Sequence, residues 1–458
     1  MSSDSDTDYD TDEGYDMIGD PFRELSKATL LEISRNNPDV TALKLKDTWI
    51  EGAGEAISQS KTLTSIAIRF RSSEREEGWL RDLCRGVARN RSITRFDMSV
   101  FNGIQCRDVF RILSPCFFSR LHCIKLYQFP SMAGPMYGID DVCISVLSIA
   151  LTQSTTIELL EISGNLSLSP SGWRTLSSGL SHPNCSLESL RLNYSSSIGD
   201  GVLTCLGFAL ESSNLQYVEI TSISRTISST GWGFFATCLK NPKCALNTLI
   251  IEECDIDDDG ASNIVSVLPD NARLESLYMR GNYELRRKDW SDLALVLCDK
   301  TSIENTYSSN HTLNEFEFDW LSNDEADFDF GIDEDEGDGG DRDDDEEDWT
   351  EADRAFISAT WDEIEMFLSM NQNQNKAEVA RLKIMKHHFP RGEINAPVFA
   401  SMVESAMPHA IEWIVRSNDH TLSNLELTVM YNFVQNFPEL FDTHGGSQSS
   451  PAKRRKHS

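Results

Sequence analysis

Leu187-Glu-Ser-Leu190-Arg-Leu192 is answered 28 residues later by Leu215-Gln-Tyr-Val218-Glu-Ile220. Each phrase ends on alternating apolar residues, the spacing of a strand with one buried face. Between them, Ile198, Val202, Leu206 and Leu210 fall at helical intervals. A strand followed by a helix cannot bury its apolar face alone, so a unit of this size has to recur and stack on its copies.

It recurs along the chain. Strand phrases begin at Val40, Leu63, Ile93, Leu121, Ile157, Leu187, Leu215, Leu246, Leu274 and Ile303, with gaps of 23, 30, 28, 36, 30, 28, 31, 28 and 29. The gap of 36 holds Phe129 to Gly138, a loop insertion of roughly eight residues. The helix phrases share a register as well. Gly78-Trp79, Gly172-Trp173, Gly231-Trp232 and Asp289-Trp290 stand at matching places, which predicts tryptophans packed between helix and sheet. Upstream, Phe22, Leu25, Leu30, Leu31 and Ile33 predict a helical cap ending at Asn36-Asn37-Pro38.

Repeats of 28–31 residues in the form L-x-x-L-x-L plus helix resemble the ribonuclease-inhibitor-like leucine-rich repeats, over residues 38–318. They are similar in particular to ribonuclease-inhibitor-like proteins of algae. The resemblance implies an α/β solenoid, a horseshoe with a parallel sheet inside and helices outside. It implies binding through the concave face and no reaction.

Of the net charge of −32, residues 1–20 carry −8 and residues 324–348 carry −15, so the acidity lies mostly outside the repeats. The expected organisation is a disordered acidic tail (1–20), a cap plus about ten repeats (21–320) and a disordered acidic linker (321–349). A small all-helical module (350–441) and a disordered basic tail (442–458) complete it. The eleven cysteines are odd in number and never occur as Cys-x-x-Cys, the usage of a reducing compartment. The acidic N-terminus is unlike a signal peptide, so the protein is not expected to be secreted. No apolar run reaches the ~20 residues that span a bilayer, and no membrane is expected as a partner.

The run Lys453-Arg454-Arg455-Lys456 after Pro451 resembles a nuclear-import signal, which implies importin as a partner and a nuclear or nucleocytoplasmic location. Asp255-Ile-Asp257-Asp-Asp259-Gly260 copies half of a calcium loop. Its twelfth position is Ser266, where calcium needs a bidentate glutamate, so the aspartates are expected to serve a helix start. His387, His388, His409 and His420 lack zinc spacing and cysteine companions. Phosphate-loop, nucleophile-elbow and kinase signatures are absent. The sequence therefore predicts no catalytic residue, metal or cofactor.

Outward-facing strand positions nominate the binding residues. In the first four units Lys44, Lys46, Arg69, Arg95 and Lys125 stand against Asp97 alone, an expected anion-facing patch. Further along, Arg191 and Arg280 stand against Glu161, Glu219 and Glu252. Tyr127, Tyr217, Tyr278 and Tyr307 are the expected rigid anchors. The function these features predict is a non-catalytic protein-binding scaffold. Its partners would be acidic at the concave face, or basic and histone-like at the acidic linker. Net acidity argues against bare nucleic acid. The layout of solenoid, acidic tract and basic signal is also similar to Ran-type GTPase-activating proteins and to acidic nuclear phosphoproteins that engage histones. Neither layout has a helical module after the acidic tract, and no residue role is carried over from them.

Overall fold

The computed structural model describes residues 22–45, 50–70, 77–100, 106–128, 139–164, 168–195, 198–223, 227–282, 285, 290–318, 351–372 and 375–388. The acidic tail and linker, Lys46, the 129–138 insertion, the helices expected beyond 388 and the Lys453–Lys456 run lie outside the described residues. The chain forms two compact units. One comprises Met1–Arg287 with Glu315–Asp343, the other Lys288–Asn314 with Asp344–Ser458.

Among its described residues, the first unit contains one parallel sheet of eleven strands in strictly sequential order. It begins with β1 (Arg23–Glu24), α1 (Lys27–Ser34), β2 (Ala42–Leu45), α2 (Ala53–Gln59), β3 (Ser65–Phe70) and α3 (Glu77–Arg89). It continues through β4 (Arg95–Val100), α4 (Cys106–Phe118), β5 (Cys123–Gln128), α5 (Asp141–Gln153), β6 (Leu159–Gly164) and α6 (Pro170–Leu180). Next come β7 (Ser189–Asn193), α7 (Asp200–Leu210), β8 (Tyr217–Thr221), α8 (Ser229–Leu239), β9 (Thr248–Glu252) and α9 (Asp258–Ser266). β10 (Ser276–Tyr278) and β11 (Glu315–Glu317) end the sheet. This is the α/β solenoid of leucine-rich repeats.

Each repeat buries the leucine positions of its phrase. Leu187, Leu190 and Leu192 are at most 1% exposed, and Leu190 and Leu192 pair in register with Val218 and Ile220. Trp173 and Trp232 are buried in the core, as the Gly-Trp phrases predict. The turns are closed by side chains that copy one another. Asn90 and Asn271 each donate to backbone carbonyls of the preceding repeat and accept two backbone N–H groups of their own turn. Such buried amides satisfy polar groups that a stacked array would otherwise strand. Asp257 caps α9 by accepting from Gly260 N at 2.7 Å, which is the helix-start role expected of that aspartate run. All eleven cysteines are free thiols.

The phrase at Ile303 is not a strand. It forms α11 (Ile303–Ser308), N-capped by Ser302. A strand there would need apolar residues at positions 306 and 308, and those are Thr306 and Ser308. The last strand is instead β11, in Leu313-Asn-Glu-Phe316-Glu-Phe318, with Phe316 pairing Leu277. The cap also differs from expectation by carrying the short strand β1, paired with β2.

The second unit holds α10 (Ser291–Leu297), α11, α12 (Glu351–Asn371) and α13 (Lys376–His388), with α12 packed on α10 and α13 on α11. Ile364, Phe367, Leu368, Val379, Ala380 and Ile384 supply its apolar interior together with Leu293, Leu297 and Ile303. Within this unit α12 and α13 pack on the helices of residues 288–314. Among the described residues no helix is long and apolar enough to cross a membrane.

Candidate protein-binding face

In a parallel sheet held in register, equivalent side chains of successive strands line up in rows about 4.8 Å apart. The middle row of the face turned away from the apolar core reads Lys44, Ala67, Asp97, Lys125, Glu161, Arg191, Glu219, Ile250, Tyr278 and Glu317. From Asp97 to Glu219 the charges alternate. Lys125 pairs with Glu161 at 2.8 Å and Arg191 with Glu219 at 3.5 Å, each across neighbouring strands. Arg95, in the adjacent row, pairs with Asp97 at 2.8 Å and lies over the Phe22 ring.

Pairing changes the meaning of the early bases. Arg95 and Lys125 are committed to carboxylates, and Lys44 is only 5% exposed. Arg69 is half-buried on β3, and Lys46 is outside the described residues. Burial raises the Asp97 carboxyl against the opposing pull of Arg95. Burial and then Asp97 push the neighbouring Cys123 thiol up to about 11. Burial, reinforced by Glu161, raises the Tyr127 phenol. On the early face, Arg95 and Lys125 are thus held in lateral ion pairs with Asp97 and Glu161.

The later strands are more open. Tyr217 and Tyr278 are half-buried and donate their phenol hydroxyls to Glu219 and Glu315, both at 2.5 Å. These bonds fix the rings, and burial with the adjacent carboxylate holds the Tyr217 phenol above its ordinary range. Arg191 lies 5.0 Å over the Tyr217 ring. Arg280, in the turn after β10, pairs with Glu317. Glu252, Glu315 and Glu317 make this end acidic, and Ile250 places an apolar side chain among them. Glu315 and Glu317 escaped the sequence reading because their strand was taken as the end of the pattern. Tyr307, expected on a strand, sits instead on the helix α11.

Among the described residues no cluster of histidine, cysteine, aspartate or glutamate is arranged to hold a metal ion. The face offers two fixed phenols and lateral ion pairs, which suit recognition of a macromolecular surface.

No family model matches the chain. Pig ribonuclease inhibitor is 27% identical over 206 residues, 44% of this chain and 42% of its own length. The human NACHT, LRR and PYD domains-containing protein 14 is 25% identical over 207 residues, 42% of this chain and 17% of its own length. The mouse NACHT, LRR and PYD domains-containing protein 12 is 26% identical over 144 residues, 31% of this chain and 13% of its own length. The chain therefore spans less than half the length of these curated relatives. A chain of the yeast Rad7 and Elc1 complex overlays loosely, with a TM-score of 0.32 and 14% identity over 63% of this chain and 75% of its own. By strand order, register and sequence, the protein is a leucine-rich-repeat solenoid similar to the ribonuclease-inhibitor-like superfamily.

Proposed function

We propose that the protein is a non-catalytic protein-binding scaffold acting in the nucleus, and that partners seat on the open face from β8 to β11. The carrying observation is the pair of phenols, Tyr217 and Tyr278, each fixed by a carboxylate on that face. Aromatic side chains held rigid lose little conformational entropy on binding and are the usual energetic anchors of interfaces. Similarity to ribonuclease inhibitor, whose name states that it inhibits a ribonuclease, supports the same reading. Nuclear action rests on the Lys453–Lys456 run alone.

Site-specific photo-crosslinking tests the scaffold reading. A photoreactive residue at position 250, on the face, is compared with one at Phe234, an exposed position on α8. Partners captured from nuclear extract at position 250, and lost when Tyr217 and Tyr278 are both replaced by alanine, support the proposal. Capture only through position 234 rejects it.

A further inference from the structure

We infer that α12 and α13 form a clasp on α10 and α11 that holds at neutral pH and opens in acid, because His311 and His387 lack acceptors for a second proton. The inference does not rest on the reading of the sheet face.

Two polar side chains tie it down. Asn371, at the end of α12, donates to Leu313 O at 2.6 Å. Lys383, on α13, has no exposed surface and donates to Leu297 O at 2.6 Å and Asn310 O at 3.0 Å, with Phe367 5.5 Å away. Asn371 donates across the packing as Asn90 and Asn271 do, but its Oδ1 is buried and accepts no hydrogen bond.

Three histidines sit around these ties. His388 Nε2 is 2.7 Å from Thr306 Oγ1, whose own proton goes to the carbonyl of Asp299 or Ser302. His311 Nε2 donates to Tyr307 O at 3.0 Å, and its Nδ1 is buried without a partner. His387 meets the Phe367 ring edge-on at 5.4 Å, and its Nε2 is likewise buried without a partner. A doubly protonated ring at either position leaves an N–H with nothing to receive it, which is costly in a buried site.

The surrounding charges oppose protonation on balance. His311 faces Lys383 and Lys376. His387 faces Lys300, Lys386 and His388 against Glu363, and Glu363 is already paired with Lys300. His388 faces Asp299, whose carboxylate accepts the Thr301 N–H at 2.9 Å. Lys383 faces Cys298 and Lys376. Burial first, and then these cations, push His311 and His387 down to about 4, and burial lowers His388. A released ring takes its proton near pH 6.5, so the clasp loses ground to the released state as pH falls from 6.5 towards 4. Discounted for partial exposure, each of the two rings should shift the balance roughly tenfold at pH 5.

Amide hydrogen exchange on the full chain at pH 7 and pH 5, corrected for intrinsic rates, tests this. Peptides from α10 to α13 should lose protection by about tenfold or more, while β6 to β9 stay within about twofold. Equal loss in both regions would mean general acid unfolding and overturn the inference. The double variant His311→Gln, His387→Gln should keep its protection at pH 5, and an unchanged pH response in it is equally fatal. Because that variant can fail to pack, imidazole titration by NMR in the unaltered protein gives a second measure. Rings that titrate below pH 5 support the clasp; rings that titrate near 6.5 overturn it.

Discussion

Ser228 donates both its backbone N–H and its hydroxyl to the carboxylate of Asp200, at 2.8 and 2.7 Å. Ser228 caps α8 and Asp200 opens α7, so one repeat's helix start is fastened to the next. Ser169 and Asp141 repeat the arrangement between α6 and α5, at 2.9 and 2.5 Å. The room for it comes from glycine. A Cβ at Gly231 would lie 2.3 Å from Asp200 Oδ1, and one at Gly172 2.2 Å from Asp141 Oδ1.

A double-mutant cycle should expose that coupling. Asp200→Ala removes two hydrogen bonds to the cap and should cost about 1–2 kcal/mol. Gly231→Ala forces the carboxylate aside and should cost about 1–3 kcal/mol. Combined, the two should cost less than their sum, because the methyl group gains the space that the carboxylate vacates. Strict additivity in thermal unfolding would show that the glycine and the aspartate do not compete for space.

The Lys125–Glu161 pair gives a prediction of opposite character. Glu161 is 8% exposed at its side chain, and Lys125 16%. Lys125→Met strands a buried carboxylate and should cost about 3–5 kcal/mol, whereas Lys125→Met with Glu161→Gln should recover much of that loss. Urea unfolding of the single and double variants measures the difference. A single variant as stable as the parent would mean that the pair is hydrated and contributes little.

How far the sequence could be read follows from what each signal encodes. Leu190 and Val218 report their strands because burial imposes period two and stacking imposes period 28, and both are local in sequence. The ion pair needed a further step. Lys125 and Glu161 are 36 residues apart and meet only when their strands are aligned, so counting charges along the early strands does not reveal it. The register was in fact available: matching Ile124 to Leu160 places Lys125 opposite Glu161. Ile303 misled because its first position fits a strand phrase, whereas Ser302 caps a helix and Thr306 cannot fill an apolar pocket. The glycines before Trp173 and Trp232 were visible as a motif, but their purpose depends on Asp141 and Asp200 in the preceding repeats. The ties at Lys383 were illegible, because a lysine on a helix gives no sign that it will be buried.

Import can be tested without reference to the fold. Replacing Lys453, Arg454, Arg455 and Lys456 with alanine should shift a fluorescent fusion from nucleus to cytoplasm. The fusion must be large enough to exclude passive diffusion, since the chain alone is 51.5 kDa. Unchanged nuclear accumulation would remove the basis for nuclear action and leave the scaffold reading untouched.

Lys383 predicts an alkaline response in the second unit. Burial lowers its ammonium to about 7, opposed slightly by Cys298 and reinforced slightly by Lys376. The unfolded chain keeps that proton up to about 10.4. Between these values the unfolded state binds more protons than the folded one, so stability rises with pH. From pH 7 to pH 9 the gain should be on the order of 2 kcal/mol. Above pH 9 it should level off, because burial raises Cys298 to about 11 and the unfolded thiol ionises first. Lys383→Met should abolish the rise while leaving the Leu297 and Asn310 carbonyls without their lysine donor, a loss of about 1–3 kcal/mol at pH 7. Hydrogen exchange in α13, measured from pH 7 to 9 and corrected for intrinsic rates, reads both effects. A parent protein whose α13 protection is flat or falling over that range would show that Lys383 keeps its proton in place, tied by the two carbonyls more strongly than burial disfavours it.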